Sequence, residues 1–341
     1  MSSILLTFDV EDWFQVENLR PYCPPSTWDE YELRVERSTH LLLDLLDSVS
    51  LDARGSEGVA AFSPQASLAS PQAPDSSQGT PHTKPTATFF ILGWVAERLP
   101  GLVREIGNRG HEVASHGYGH KLCSQLGRQE LRDDLSRSRK LLEDIAGIRV
   151  HGYRAPGFSA EDSVLELVRE TGYTYDSSFN AIDFNPRCGH VDLSRAVRRD
   201  NAWEMPSGLV ELPVSNLRFG SRSIPWGGGG YFRLYPLPLY TAGVKWILRR
   251  EGGFTFYMHP WEMDPDQPRI AGPGPLARFR HYHNLDKAGA KLEGLLRSLR
   301  DRSITSCRDY LKNQPAFGCE GIPSRGRAGC SEVGTGPEAA G

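Results

Sequence analysis

Cysteine is scarce in this chain, and the few cysteines are scattered. The sequence of 341 residues has 6 of them, and none stands in a Cys-x-x-Cys pair. Thiolate zinc sites and disulfide-stapled scaffolds need closer or denser cysteines, so both classes are disfavoured. We expect the protein to work in a reducing compartment, the cytoplasm.

Long basic runs and long apolar runs are also missing. Lys and Arg number 39 and Asp and Glu 42, which gives a net charge of −3. Proteins that track nucleic-acid phosphates carry an excess of basic residues, so nucleic acid is not expected as a partner. No uncharged apolar stretch approaches the roughly 18 residues of a membrane span. Since no basic leader precedes Asp9 either, we expect neither a transmembrane segment nor a secretory signal.

Short apolar strands alternate with amphipathic helices over much of the chain. Residues 4–8 and 87–92 are apolar runs typical of buried strands, and apolar residues at helical spacing follow each of them. The pattern continues through 112–115 and 150–154 and ends with a strand over 253–259. Such alternation predicts parallel strands covered by helices, an α/β fold. Catalytic groups of such folds gather at the carboxyl ends of the strands.

Two segments lack any apolar period. Residues 51–85 are rich in Ala, Pro, Ser, Gly and Gln, and residues 313–341 combine several glycines with isolated apolar residues. Such composition buries too little apolar surface to order itself. We predict one α/β domain over 1–262 with 51–85 as a disordered inserted loop, an irregular extension over 263–312 packed on this domain, and a disordered tail over 313–341.

Two histidines follow the strand over 112–115. His116 and His120 stand four residues apart in the sequence Ser-His-Gly-Tyr-Gly-His, so on one helical turn they would face the same way. Paired neutral imidazoles suit a divalent cation of the zinc type, provided that a carboxylate joins them. A solvated loop with chance histidines is the alternative, because short motifs often match by accident.

Three carboxylates follow the first strand, in the sequence Phe-Asp-Val-Glu-Asp-Trp. Asp9, Glu11 and Asp12 put negative charge at one strand end, which favours a bound cation or a raised pKa. The alternative is a polar loop in which Asp12 caps a helix.

Three more polar side chains end strand-like segments. Arg154 precedes a Pro-Gly turn and is able to hold a carboxylate by a bidentate bond. Asp176 and His259 lie among aromatic residues, a setting that shifts imidazole pKa values. Taken singly, each of the three is more simply explained as structural.

Together, these blocks occur in the order of a known set. The chain resembles the polysaccharide deacetylase family, carbohydrate esterase family 4 with the NodB homology fold, over residues 3–182 and 250–262. Its opening motif, its Trp-Gly-Gly-Gly-Gly-Tyr-Phe segment and its C-terminal extension look most like the exosortase-associated, cytoplasmic branch, which accompanies exopolysaccharide biosynthesis. The fold that this resemblance implies is a distorted (β/α) barrel.

The resemblance also implies catalytic roles. Asp9 matches the general base, Arg154 the arginine that orients it, His259 the general acid, and Asp176 the aspartate that tunes this histidine. A backbone N–H near Gly157 is expected to stabilise the oxyanion.

Metal binding is implied for His116 and His120, with zinc expected and cobalt or nickel as alternatives. Most members carry two adjacent aspartates in the opening motif, but Val10 holds the second place here. Strand alternation puts Glu11 on the face of the base, whereas a turn from Val10 would bring Asp12 inward. We favour Asp12 as the carboxylate ligand, with Glu11 as the alternative.

Aromatic residues and glycines near these blocks suggest a substrate rim. Trp13, Tyr118 and Trp261 are candidates to stack on sugar faces, with core packing as the alternative for each. The four glycines at 227–230 lack a following Gly-Lys-Ser/Thr, so a flexible rim loop is favoured over a nucleotide site.

The function predicted from this resemblance is metal-dependent hydrolytic N-deacetylation of sugars in an exopolysaccharide or its precursor, with release of acetate. The expected partner is an N-acetylated polysaccharide or oligosaccharide, and peripheral contact with an exopolysaccharide assembly system is left open. Two alternatives are an allantoinase-like hydrolase of a cyclic amide or ureide and a non-catalytic carbohydrate-binding scaffold.

Overall fold

The computed structural model describes residues 2–49, 84–181, 188–220 and 222–314, which form twelve strands and ten α-helices. The strands are β1 (Ser3–Val10), β2 (Thr88–Ile91), β3 (Glu112–Ser115), β4 (Gly152–Tyr153), β5 (Tyr175–Asp176), β6 (Val197–Arg199), β7 (Ala202–Glu204), β8 (Val210–Glu211), β9 (Asn216–Phe219), β10 (Arg222–Pro225), β11 (Gly253–Met258) and β12 (Ser303–Thr305).

The helices lie between these strands and after β11. They are α1 (Val35–Ser48), α2 (Gly93–Arg98), α3 (Pro100–Asn108), α4 (Arg128–Ala146), α5 (Asp162–Glu170), α6 (Gly229–Leu234), α7 (Leu237–Glu251), α8 (Pro275–Tyr282), α9 (Leu285–Ser298) and α10 (Cys307–Lys312). Within the part of the chain that the structure describes, no helix combines the length and the apolar character that crossing a membrane requires.

Most of the strands form one curled sheet. Its order is β11-β1-β2-β3-β4-β5-β8-β7-β6, parallel from β11 to β8 and antiparallel beyond. The short strand β12 pairs in parallel with Ser3–Leu5 of β1, and β9 and β10 form a separate hairpin. The predicted α/β fold, a distorted barrel with outer helices, is confirmed.

The alternation of β1 explains which of its side chains enter the barrel. Leu6 and Phe8 belong to the large core between the sheet and the helices, whereas Leu5 belongs to a separate apolar cluster inside the barrel. Side chains two residues apart on a strand share a face, so Thr7 and Asp9 follow Leu5 on the inner face. The buried strand therefore carries Asp9 to the carboxyl end of the barrel interior.

The opposite end of the barrel is filled by the last described helix. Cys307, Tyr310 and Leu311 of α10 lie in the same buried cluster as Leu5 and Phe90. Buried Glu112, at the start of β3, also lies at this end, where it accepts hydrogen bonds from Thr88 and from the backbone N–H of Arg308 in α10.

The region after residue 262 is more regular than predicted. The expectation of an irregular extension over 263–312 is wrong, since the chain forms α8, α9, β12 and α10 there and β12 joins the barrel sheet. The predicted disordered segments, 51–85 and 313–341, fall almost wholly outside the described residues, and the domain boundaries stay a prediction.

Stability should depend on pH through His111. Burial lowers the pKa of His111 from 6.5 to about 4, and its Nδ1 accepts a hydrogen bond from the backbone N–H of Ala87 at 3.3 Å. The unfolded chain therefore binds a proton first as the pH falls, so the stabilisation by neutral His111 is complete above pH 6.5 and is lost toward pH 4. At pH 5 this decrease in the free energy of unfolding reaches about 2 kcal/mol.

We expect His111→Asn, which keeps an acceptor but does not titrate, to lose less unfolding free energy than the wild type between pH 7.5 and pH 5. Urea denaturation at both pH values measures this difference. Exposed His190 provides the control, because His190→Asn should preserve the wild-type slope. Equal slopes for wild type and His111→Asn would contradict the assignment.

Candidate active site

Polar side chains converge at the carboxyl edge of the barrel. Asp9 lies near the end of β1, His116 directly after β3, Arg154 directly after β4 and His259 directly after β11. All four are largely or fully buried, although polar residues are usually exposed. Parallel strands place their carboxyl ends at one edge, and the sheet order β11-β1-β2-β3-β4 brings these residues together there.

Glu11, His116 and His120 form a buried cluster of potential metal ligands. One ligand atom from each lies within 4.8 Å of the others, and Nε2 of His120 is 2.7 Å from Oε2 of Glu11. The histidines do not share a helical turn, as the spacing suggested. They lie in a loop in which Gly117 and His120 both have positive φ. This loop brings the centroids of the two imidazole rings to 5.4 Å from each other.

The protonation of this cluster suits a divalent cation. Nδ1–H of His116 donates to the backbone carbonyl of Arg154 at 2.8 Å, which leaves the Nε2 lone pair available. Burial lowers the pKa of His116 to about 4. Burial would raise the pKa of Glu11, but the charges of His120 and His259 outweigh it and hold that pKa at about 2. An ionised carboxylate and a neutral imidazole are the forms in which these groups bind zinc.

Asp12 does not join the cluster. Its Oδ1 accepts from the N–H of Trp13 at 2.8 Å, and its Oδ2 accepts from the N–H groups of Arg34 and Val35 at 2.7 and 2.8 Å. The carboxylate thereby caps a short 3-10 turn and the start of α1. Glu11, the alternative, therefore supplies the carboxylate beside the histidines, and the preference for Asp12 is corrected.

Asp9 and Arg154 form an ion pair with side chains that are 1% and 0% exposed. Nη1 of Arg154 lies 2.7 Å from Oδ1 of Asp9 and also donates to Oγ1 of Thr7 at 2.8 Å. Its Nε and Nη2 donate to the carbonyl and hydroxyl of Ser177. The guanidinium, with Phe90 packed against it at 4.2 Å, thus fixes the orientation of the carboxylate.

His259 stands on the other side of Glu11. Its Nε2 is 3.5 Å from Oε1 of Glu11, and its Nδ1 is 3.0 Å from Oε1 of Glu262. Burial would lower the pKa of His259, but the negative charges of Glu11 and Glu262 raise it to about 9. The imidazole is therefore protonated at neutral pH and able to act as an acid.

The carboxylate that bonds His259 is Glu262 and not Asp176. Asp176 accepts from the N–H and hydroxyl of Ser178, both at 2.9 Å, and shares a hydrogen bond with buried Glu211. Burial raises the pKa of both Asp176 and Glu211, so the two carboxyls retain a proton between them. The tuning role expected for Asp176 is corrected to Glu262, which the spacing His-Pro-Trp-Glu could have indicated.

The candidate sugar-stacking residues are mostly enclosed by protein. Trp13 is 2% exposed and packs against Phe14 and Tyr31, so it belongs to the core. Trp261 is also buried and stacks between His259 and His281.

Tyr118 and Gly157 lie on the loops after β3 and β4. The ring of Tyr118 is covered by the guanidinium of Arg137 at 3.4 Å, and its hydroxyl donates to Glu97. Gly157, with φ 60°, lies in the turn after Arg154, and the role of its N–H stays a prediction.

Comparisons with known proteins match two parts of the chain. Residues 82–175 match the family described as polysaccharide deacetylase, and residues 177–311 match a domain of unknown function, DUF3473. The peptidoglycan deacetylase-like protein FGM2 of Gibberella zeae is 35% identical over 141 residues, or 38% of this chain and 41% of that protein. The peptidoglycan deacetylase of Helicobacter pylori is 33% identical over 142 residues, or 38% of this chain and 47% of that protein.

The chain thus spans less than half the length of these curated relatives. A solved structure from Mycobacterium smegmatis, of a proposed polysaccharide deacetylase, is similar with a TM-score of 0.55 at 20% identity, covering 91% of this chain and 88% of that one. That likeness shows the shared barrel fold.

A curled α/β sheet with histidines and carboxylates at its carboxyl edge defines the class, a barrel domain with a candidate hydrolytic centre. More narrowly, residues 82–175 match the polysaccharide deacetylase family, and the fold is similar to that of the solved structure from Mycobacterium smegmatis. The resemblance to this family is confirmed. The exosortase-associated branch stays a prediction.

Separate substitutions should distinguish Glu11 from Asp12. Glu11→Gln removes the charge beside His116 and His120, and we expect it to weaken zinc affinity by at least about 100-fold, since even outer residues of metal sites contribute 10- to 100-fold. Asp12→Asn should leave zinc affinity unchanged but lower stability by about 1–3 kcal/mol, because a neutral amide cannot accept all three backbone hydrogen bonds.

Competition with a chromophoric chelator measures the affinity, and thermal unfolding measures the stability. Loss of zinc from Asp12→Asn with normal binding by Glu11→Gln would reverse this assignment.

Proposed function

We propose that this chain is a metal-dependent deacetylase that hydrolyses the N-acetyl groups of sugar residues in an exopolysaccharide or its precursor and releases acetate. One observation carries the proposal. A buried pair, Asp9 with Arg154, and a protonated His259 flank the metal-ligand cluster of Glu11, His116 and His120. A base, an acid and a cation site on one edge are the parts that amide hydrolysis needs.

Glu11, His116 and His120 are the residues that would hold the cation, for which zinc fits the donor set and cobalt or nickel are alternatives. When bound, such a cation supplies a Lewis acid for the acetyl carbonyl and acidifies a water molecule.

Asp9 is the proposed general base. Arg154 engages its Oδ1, and this leaves Oδ2 to accept the proton of the attacking water. Burial of both partners keeps the carboxylate in one orientation, so little reorganisation is needed during attack. An N–H from the turn around Gly157 is the proposed additional donor to the oxyanion.

His259 is the proposed general acid. Its Nδ1 is engaged by Glu262, so Nε2 is the nitrogen that faces Glu11 and the cluster. Water oxygen adds to the acetyl carbon, the carbon–nitrogen bond breaks, and the proton on Nε2 passes to the departing sugar amine. The proton taken up by Asp9 restores His259, and the products are the free amine and acetic acid, which releases its proton to solvent as acetate.

N-acetylated sugars are the substrate class that the relatives support. Two of them are named for peptidoglycan deacetylation, and a third, from Bacillus cereus, is named a peptidoglycan-N-acetylglucosamine deacetylase. The exopolysaccharide, the cytoplasmic location and a contact with an assembly system rest on the resemblance to the exosortase-associated branch. Peptidoglycan strands and N-acetylglucosamine oligomers are therefore the two substrates to compare.

The proposal is tested by acetate release from these substrates, with bound metal counted in each preparation. We expect Asp9→Asn to lower kcat by about 10²- to 10⁴-fold, the range of general base catalysis, with metal retained. His116→Ala should lose both metal and activity, whereas His190→Ala, at an exposed position, should match the wild type.

Two results would favour the alternatives. Hydrolysis of a cyclic amide or ureide without bound metal would indicate the allantoinase-like enzyme. Binding of N-acetylglucosamine oligomers without acetate release, even after zinc or cobalt is added, would indicate the carbohydrate-binding scaffold.

A further inference from the structure

The segment of four glycines, predicted as a flexible rim loop, is buried at its first three positions, Gly227, Gly228 and Gly229, and only Gly230 is exposed. Gly227 donates to the carbonyl of Ser215 and accepts from the N–H of Tyr257, and Gly228 bridges to β11 at the same tyrosine. Helix α6 begins at Gly229. The segment is therefore part of the wall behind the end of β11, where His259 lies.

Gly229 makes a close approach to Glu262 that no larger residue permits. A Cβ atom at position 229 would lie 2.2 Å from Oε1 of Glu262, whereas a Cβ atom at Gly230 would meet nothing within 4 Å. The absence of a side chain at 229 is what allows the first turn of α6 to lie against this carboxylate.

Arg233, one turn farther along α6, holds the other oxygen of the same carboxylate. Its Nε lies 2.6 Å from Oε2 of Glu262, and the arginine is only 2% exposed. Its remaining N–H groups donate to the backbone carbonyls of Arg280 at 3.0 Å, His281 at 3.2 Å and His283. The guanidinium is thereby fixed by the last turn of α8.

Glu262 passes this constraint to His259. Its Oε1 accepts from the backbone N–H of His259 at 3.1 Å and lies 3.0 Å from Nδ1 of the same residue. Burial would raise the pKa of Glu262, but the charges of Arg233 and His259 hold it at about 2, so the carboxylate is ionised. A continuous chain of buried contacts joins α8, Arg233, Glu262 and His259.

We propose that Arg233 is a positioning residue for the general acid. The end of α8 fixes its guanidinium, and Gly229 leaves space for the carboxylate of Glu262 beside it. Arg233 thereby holds Glu262 so that Nε2 of His259 faces the departing amine. The inference rests on the proposed deacetylation, in which His259 protonates the leaving group. It gives the region after the deacetylase match a role in the reaction itself.

The leaving group separates this role from a merely structural one. A sugar amine departs from the tetrahedral state only when it is protonated, whereas the 4-nitrophenolate of 4-nitrophenyl acetate departs without a proton. Both substrates need the same base and the same cation site. A misplaced acid should therefore slow amide hydrolysis and leave ester hydrolysis nearly unchanged.

The experiment compares Gly229→Ala and Arg233→Lys with the wild type. The methyl group of Gly229→Ala displaces Glu262, and Arg233→Lys keeps the charge but cannot hold Glu262 and three carbonyls at once. Gly230→Ala, the neighbouring position with open space, is the matched control. For each we measure kcat and KM on N-acetylglucosamine oligomers, the rate on 4-nitrophenyl acetate, the melting temperature and the bound metal.

We expect both variants to lower kcat on the oligomers by about tenfold or more, with KM and the ester rate within about twofold of the wild type and metal retained. Gly230→Ala should match the wild type on both substrates. If Gly229→Ala does not fold, the comparison of amide and ester rates for Arg233→Lys alone tests the positioning role.

Two results would overturn the positioning role while leaving the proposed function intact: equal slowing of amide and ester hydrolysis, or no slowing of either. A wild-type protein that cleaves 4-nitrophenyl acetate but no N-acetylated sugar would instead overturn the proposed function and this inference together.

Discussion

The ion pair and hydrogen bonds of the buried Arg154 guanidinium are the interactions on which the carboxyl edge of the barrel depends. The guanidinium pairs with Asp9, bonds Thr7 on the same strand, and bonds Ser177 after β5, while the carbonyl of its own residue orients His116. Loss of either member of such a pair leaves a buried charge uncompensated, typically at about 3–5 kcal/mol. The proposed base and a candidate metal ligand are thus oriented by one residue, whose side chain bonds the ends of β1 and β5 and whose carbonyl bonds His116 after β3.

The candidate site is assembled from both matched regions. The histidine pair and Arg154 lie within 82–175, whereas His259, Glu262 and Arg233 lie within 177–311, the part that matches a domain of unknown function. The two regions share a sheet, since β11 is the neighbour of β1. The second region therefore completes the barrel and contributes His259, the proposed acid, to the site.

Local patterns predicted the elements that depend on local physics. Apolar runs predicted β1 and β2, the strand–helix alternation predicted β3, and the alternation of β1 already put Glu11 on the face of Asp9. The two assignments that were wrong, those of Asp12 and Asp176, depended on partners distant in the chain. Asp12 accepts hydrogen bonds from the backbone of Arg34 and Val35 and so does not reach the histidines. Asp176 bonds Glu211 on the neighbouring strand and so does not reach His259. Neither partner is visible in the neighbouring sequence, so spacing alone could not assign these carboxylates.

The pairing of β1 has a consequence for how the chain folds. Two partners of β1 lie far along the chain. At one edge Ser3 of β1 pairs with Gly253 of β11, and at the other edge it pairs with Ser303 of β12. Strand β1 is able to pair with β2 early, but its β11 edge and its first residues stay unpaired until the chain has been synthesised as far as β11 and β12. Such distant pairing slows folding and leaves one edge of an apolar strand open to wrong partners meanwhile, so β1 is a segment that a chaperone would protect during synthesis.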